Sequence, residues 1–237
     1  MKKNGFIYSL YSMDQKPNKF YDEFLVSYKS LKKVLPKSNV SLYTNIIFEN
    51  NIGIDQVIFD KEINKSHIAK AFALLNSPYE KTIFLDTDTF IHRKNINDIF
   101  KVLDEFDFTC TFACSCANTD PYDGEIFPEL NTGLLGVKNN AFTKSQMEVW
   151  INNFASEAAK YKEKGFPKGD QISFRNHIFM KNKNKFYILP PYYQFRFHIY
   201  KAFLKKAVLS HDHDILQEKN IKEHILTKII SFWIKSL

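Results

Sequence analysis

The sequence predicts an α/β fold, a single domain with a central, mostly parallel mixed sheet flanked by helices, and three observations carry that prediction. Apolar runs of strand length alternate with segments of helical periodicity along most of the chain. With 237 residues, 44% of them hydrophobic, the chain can bury one sizeable core. No repeat, low-complexity tract or linker interrupts it, so we expect one domain over residues 1–215 and a C-terminal helix over 216–237.

GFIYSLYS (5–12) reads as the first strand. Tyr21, Phe24, Leu25, Tyr28, Leu31 and Leu35 then recur at helical spacing until Pro36 stops the pattern. NVSLYTN (39–45) and QVIFD (56–60) are short strands, and a helix from about Ser66, as N-cap, to Asn76 precedes the turn SPYEK and the strand TIFLD. NINDIFKVLDEF is helical and DFTCTFACSC extended, followed by an Asp/Pro/Gly-rich loop and the strand NTGLLGVK. Helices are expected near 140–163 and 169–180, with strands at FYILP and KAVLSH.

Charge and cysteines narrow the function classes. Net charge is +7, and the excess is local: Gln171 to His211 contains no Asp or Glu but eight Lys and Arg. Such a patch suits phosphate-bearing substrates, nucleic acid or an anionic membrane, or is a solvated surface. Cys110, Cys114 and Cys116 are an odd set without a fourth ligand for structural zinc, and read as small side chains of a strand. No run reaches the roughly 18 apolar residues of a membrane span, and MKKNGFIYSLYSMDQ lacks a cleavable signal pattern, so a cytoplasmic chain is expected.

The chemistry centres on KTIFLDTDTFIHR (81–93), where an apolar strand runs into Asp86-Thr87-Asp88. In parallel α/β sheets ligands sit beyond the carboxyl ends of strands. If the strand continues through Asp88, the two carboxylates share a face. Adjacent carboxylates repel, and a divalent cation with a preference for oxygen ligands, Mn²⁺ or Mg²⁺, resolves the conflict. The alternative is a solvated turn in which one Asp caps the next segment.

Around this motif, HIAKAFALLNSPYEKTIFLDTDTFIHR resembles the central segment of metal-dependent, nucleotide-sugar-using glycosyltransferases of the GT-A (Rossmann-like) fold. ELNTGLLGVKNN, KGDQISFRN and AVLSHDHD resemble, in order, the family's Asn-x-Gly strand, the Asp-Gln helix start of its galactosyltransferase and glycogenin-like branch, and the late strand ending in a metal-binding His. The resemblance implies Asp86, Asp88 and His211 as ligands of Mn²⁺ or Mg²⁺, with His213 competing for the third place. It implies Thr87 and Lys70 near the donor phosphates, and Tyr8, Ser9, Tyr11, Thr44 and Asn45 around nucleobase and ribose. Asn131, Thr132 and Gly133 would wall the sugar. Asp170 would hold its hydroxyls with Gln171 near the anomeric carbon, which in the family goes with retention. The implied activity is transfer of a hexose from a UDP-sugar to a glycan or glycolipid.

Each feature has a plainer reading. Asp170 is also a good helix N-cap, Lys70 an ordinary exposed lysine, and His211 an ordinary strand-end histidine. Glu129 and Asp123 are candidate general bases for an inverting enzyme. LPPYYQFRFHIYKAFLKK mixes rings and cations, as an acceptor or pyrophosphate site or a nucleic-acid groove does. IKEHILTKIISFWIKSL places Ile221, Ile225, Ile229 and Phe232 on one stripe with lysines outside, which suits an anionic membrane surface, core packing or dimerisation. Two rival functions are a haloacid-dehalogenase-like phosphatase, whose Asp-x-Asp pattern continues differently from Phe90 here, and a non-catalytic nucleic-acid binder. The latter leaves the Asp-x-Asp, Asn-Thr-Gly and Asp-Gln series unexplained.

Overall fold

The computed structural model describes residues 2–63, 66–113, 129–163, 170–194 and 207–211. Nine strands are assigned among them: β1 (Lys2–Leu10), β2 (Val40–Thr44), β3 (Gln56–Phe59), β4 (Tyr79–Leu85), β5 (Thr89–Ile91), β6 (Phe108–Phe112), β7 (Leu130–Lys138), β8 (Phe186–Ile188) and β9 (Leu209–His211). Five α-helices accompany them: α1 (Lys19–Val34), α2 (Ala69–Leu75), α3 (Ile99–Glu105), α4 (Ala141–Glu163) and α5 (Gln171–Phe174).

Seven strands form one sheet in the order β3-β2-β1-β4-β7-β6-β8, and β5 and β9 pair antiparallel beside it. β1, β2, β3 and β4 are mutually parallel, as are β6 and β8, and β7 runs against both its neighbours. One reversed strand therefore sits in an otherwise parallel sheet. Its start, Leu130 to Gly133, lies at the rim where the parallel strands end.

Both faces are covered, which is why the central strands read as continuous apolar runs. Phe6, Tyr8 and Leu10 of β1 pack on one side with Phe24 and Leu31 of α1 and Ile99 and Leu103 of α3. Ile7, one step out of phase, packs on the other with Ala71 and Leu74 of α2, Trp150 of α4 and Phe174 of α5. Asn18 starts α1, its side chain accepting from the backbone N–H groups of Phe20 and Tyr21. Asn140 and Thr143 exchange side-chain to backbone hydrogen bonds in the manner of a capping box at the start of α4.

The elements depart from expectation at their ends. α2 starts at Ala69 with Ile68 as its cap residue, where the sequence predicts Ser66, and the Ser66 carbonyl accepts from the Ala69 N–H. The segment 94–105 splits into a 3₁₀ turn (Lys94–Asp98) and α3. The helix expected over 169–180 is only one α turn, continuing as π-helix over Arg175–Phe179. Asp86 follows the last residue of β4 and Thr87 and Asp88 lie in a turn, so the shared strand face expected for the two carboxylates does not exist. Cys110 is buried in β6, and burial pushes its thiol well up. Cys114, Cys116, Asp123, His213 and the helix expected over 216–237 lie outside the described residues.

Candidate metal and donor site

The reversed strand builds the site. The β4–β7 register ends at Leu85 opposite Leu134, and one step further the Asp86 N–H donates to the Gly133 carbonyl at 2.9 Å. The chain then turns, and Thr89 Oγ1 closes the turn by donating to the Asp86 carbonyl at 2.8 Å. β5 follows at once and pairs with β9, with Thr89 opposite His211. This pairing carries His211 across more than a hundred residues to the two aspartates. Its Nε2 lies 3.0 Å from Asp88 Oδ1 and 3.7 Å from Asp86 Oδ2. One ligand atom from each of the three residues falls within 4.8 Å of the others. Asp86 and Asp88 thus converge through a turn and a second small sheet, not through the pleat of one strand.

The turn is held from below. Thr89 Oγ1, whose hydrogen goes to Asp86, is 2.9 Å from Ser27 Oγ, and Ser27 Oγ is 3.0 Å from the Tyr8 hydroxyl. A carbonyl only accepts, so the hydrogens run from Tyr8 to Ser27 to Thr89 to Asp86. Tyr8 is fully buried, and burial pushes its hydroxyl far above the ordinary tyrosine value. Tyr8, expected beside the nucleobase, stands at the foot of this chain beneath the Asp-x-Asp turn.

Thr44 and Asn45 are also interior. The Thr44 hydroxyl accepts from the Ile46 N–H, and the Asn45 amide exchanges two hydrogen bonds with the Ser12 backbone, tying the exits of β1 and β2 together. Both are fully buried. Ser9 and Tyr11 remain half-buried on the rim. Burial raises the Tyr11 hydroxyl above its ordinary value while the nearby Lys70 charge opposes the rise.

Lys70 is not an exposed helical lysine. It is 5% exposed, its ammonium 3.2 Å from Asp86 Oδ1, 3.2 Å from Asp170 Oδ2 and 3.2 Å from Thr132 Oγ1. Burial alone would lower its pKa, but the two carboxylates outweigh burial and raise it to about 12. Asp170 stands at the cap position of α5, yet its side chain makes no cap hydrogen bond. It accepts from Thr132 Oγ1 at 2.5 Å and pairs with Lys70. Gln171 follows, half-buried, and Glu129 is buried at the entry to β7. Thr87 reaches from the turn toward Glu23 of α1, 3.4 Å away.

Gly133 makes this proximity possible. A Cβ there would sit 2.5 Å from His211 Cε1, 2.7 Å from Gln194 Nε2 and 2.8 Å from Asp86 Oδ2. Beside it the Asn131 side chain accepts from the Gly133 N–H at 3.0 Å and from Gln194 Nε2 at 2.9 Å. Gln194 and its other partner Thr111 belong to the site, and no motif spacing announces them; Gln194 sits unmarked in the aromatic stretch PPYYQ.

The fold is that of the GT-A glycosyltransferases. The chain superposes on the crystal structure of the glycosyltransferase GlyE of Streptococcus pneumoniae TIGR4 with a TM-score of 0.65 at 15% identity, covering 95% of this chain and 60% of that one. On the galactosyltransferase LgtC, in complex with donor and acceptor sugar analogues, the TM-score is 0.61 at 13% identity, with 96% and 95% of the two chains covered. A glycosyltransferase involved in glycosylation of the major capsid of PBCV-1 gives 0.57 at 11% identity, over 96% and 99%. The chain spans about three fifths of the length of GlyE. No protein-family model and no curated protein matches the sequence.

Proposed function

We propose that the chain is a metal-dependent glycosyltransferase that moves a hexose from a nucleotide sugar, a UDP-hexose, to a glycan or glycolipid acceptor with retention of configuration. The observation that carries the reading is the convergence of Asp86, Asp88 and His211 at the carboxyl rim of the sheet. Two carboxylate oxygens and an imidazole nitrogen suit Mn²⁺ or Mg²⁺, and the absence of a Cβ at Gly133 keeps their common space open. These three residues would hold the ion, which when bound supplies Lewis acidity to the diphosphate leaving group.

The remaining residues bind and orient. Asn131, Thr132 and Gly133 form one wall, and Gly lets a sugar approach the backbone closely. Lys70 offers a positive charge beside Asp86 for phosphate, and Tyr11 and Ser9 on the rim are left to meet the nucleoside. Asp170, held by Thr132 and Lys70, is oriented for sugar hydroxyls and sets Gln171 at the start of α5. Retention is proposed from that Asp170–Gln171 placement. The fold shared with solved glycosyltransferases supports this reading over the phosphatase and nucleic-acid readings. Residues 216–237 are proposed as a contact with an anionic membrane surface, tested by vesicle co-sedimentation with and without that segment.

Isothermal titration with a panel of nucleotide sugars, first with Mn²⁺ and then with chelator, tests the proposal. Binding of one donor with metal, lost on chelation, is the expected result. No heat with any donor in the presence of Mn²⁺ would sink it.

A further inference from the structure

The structure assigns to Gln194 a positioning role: it selects which ring nitrogen of His211 carries the hydrogen. The argument runs through four groups whose hydrogen-bonding capacities leave one solution. The Gly133 backbone N–H can only donate, and the atom facing it at 3.0 Å is therefore the Asn131 carbonyl oxygen. That oxygen can only accept, so the Gln194 atom facing it at 2.9 Å is the amide nitrogen. The same nitrogen lies 3.0 Å from His211 Nδ1 and can only donate to it. Nδ1 is then bare, and the neutral ring carries its hydrogen on Nε2. The other end of the Gln194 amide agrees, since its oxygen accepts from Thr111 Oγ1 at 2.8 Å.

Nε2 is the nitrogen that faces the carboxylates, 3.0 Å from Asp88 Oδ1. His211 therefore donates to Asp88. A metal-binding imidazole ordinarily does the reverse, donating its outer N–H to a carboxylate or carbonyl and turning a bare nitrogen inward. Capture of a cation through Nε2 requires that hydrogen to leave, and a neutral ring must then carry one on Nδ1. The Gln194 amide has to turn its oxygen toward Nδ1 to accept it, at the expense of the Asn131 bond. Gln194 thus couples the sugar-side wall, Asn131 to Gly133, to the metal side, and holds cation affinity below what the three ligands alone would reach. This last consequence rests on the proposed metal site; the hydrogen assignment does not.

The test uses the full 237-residue chain, metal-free, with the ¹⁵N shifts themselves identifying the neutral His211 ring. Long-range ¹H–¹⁵N spectra distinguish bare from protonated ring nitrogens, with the His211 signals identified by their loss in His211→Ala. The wild type is expected to show Nε2–H alone, Gln194→Leu a mixture of tautomers, and Gln194→Glu, whose carboxylate accepts, Nδ1–H. Gln194→Glu is also expected to bind Mn²⁺ about tenfold more tightly, measured without donor. Amide chemical-shift dispersion confirms that each variant is folded. A wild-type Nδ1–H tautomer, or a Gln194→Leu spectrum identical to wild type, overturns the assignment. Weaker Mn²⁺ binding by Gln194→Glu overturns the coupling to the cation. A wild type that shows Nε2–H yet binds no nucleotide sugar refutes the proposed function and leaves the Gln194 assignment standing.

Discussion

The Lys70 ammonium lies 3.2 Å from Asp86 Oδ1 and 3.2 Å from Asp170 Oδ2, so one buried cation joins a proposed metal ligand to a proposed sugar-binding residue. Lys70 comes from α2, Asp86 from the end of β4 and Asp170 from the start of α5. Without the lysine, two carboxylates would face each other across a largely dehydrated gap. We expect Lys70→Met to lower stability by about 3 kcal/mol, near the lower end of the range for breaking a buried pair because Asp86 keeps some solvent contact. Millimolar Mn²⁺ should raise the melting temperature of Lys70→Met more than that of the wild type. Equal shifts would mean that lysine and cation do not share the Asp86 charge.

Asp88 contacts His211 and is 4% exposed. Asp88→Ala should abolish Mn²⁺-dependent binding of the donor in calorimetry while leaving the circular dichroism spectrum intact. Retained metal-dependent affinity in the variant would remove Asp88 from the site.

Gly133→Ala adds a single methyl group in contact with His211, Gln194 and Asp86 at once. All three must shift, so cation and donor binding should both be lost. Overpacking of this kind costs about 1–3 kcal/mol in folding, a loss visible as a reduced urea midpoint. A variant with wild-type Mn²⁺ affinity would show that the space beside Gly133 is not part of the site.

His92 is an acid-sensitive group near this rim. Burial, with the Arg93 charge adding to it, lowers its pKa to about 4, and its Nε2 lies 2.9 Å from Ser210 Oγ. An unfolded histidine titrates near 6.5, so between these values the unfolded chain binds a proton that the folded one refuses. Stability contributed by the neutral ring is complete above about 6.5 and is lost as the pH falls toward 4, on the order of 2 kcal/mol. Urea midpoints at pH 7 and pH 4.5 should therefore differ less for His92→Gln than for the wild type. Parallel losses would exclude His92 as a cause.

Much of this molecule is legible along the chain. The strands and helices announce themselves through periodicity and through local signals such as Asn18 before α1 or Pro36 after it, because those depend on neighbours a few residues away. Their ends are less legible, as Ser66 shows, where α2 takes its cap two residues later, at Ile68, than the local sequence suggests. The Asp-x-Asp motif is equally readable, but the means by which its carboxylates converge is not. A pleated strand would have served, and the structure uses a turn fixed by Tyr8, Ser27 and Thr89 instead.

By itself, then, the sequence determined the α/β layering, the position of the aspartates at the ligand rim, and the residue types able to hold a cation. Tertiary structure alone decided the partners. It placed Tyr8, Thr44 and Asn45 in the interior, drew the buried Lys70 between Asp86 and Asp170, and brought Gln194 against His211. The physical reason is that a single reversed strand, β7, sets distant segments side by side at one rim, and hydrogen-bond partners separated by 62 and 63 residues leave no trace in local spacing.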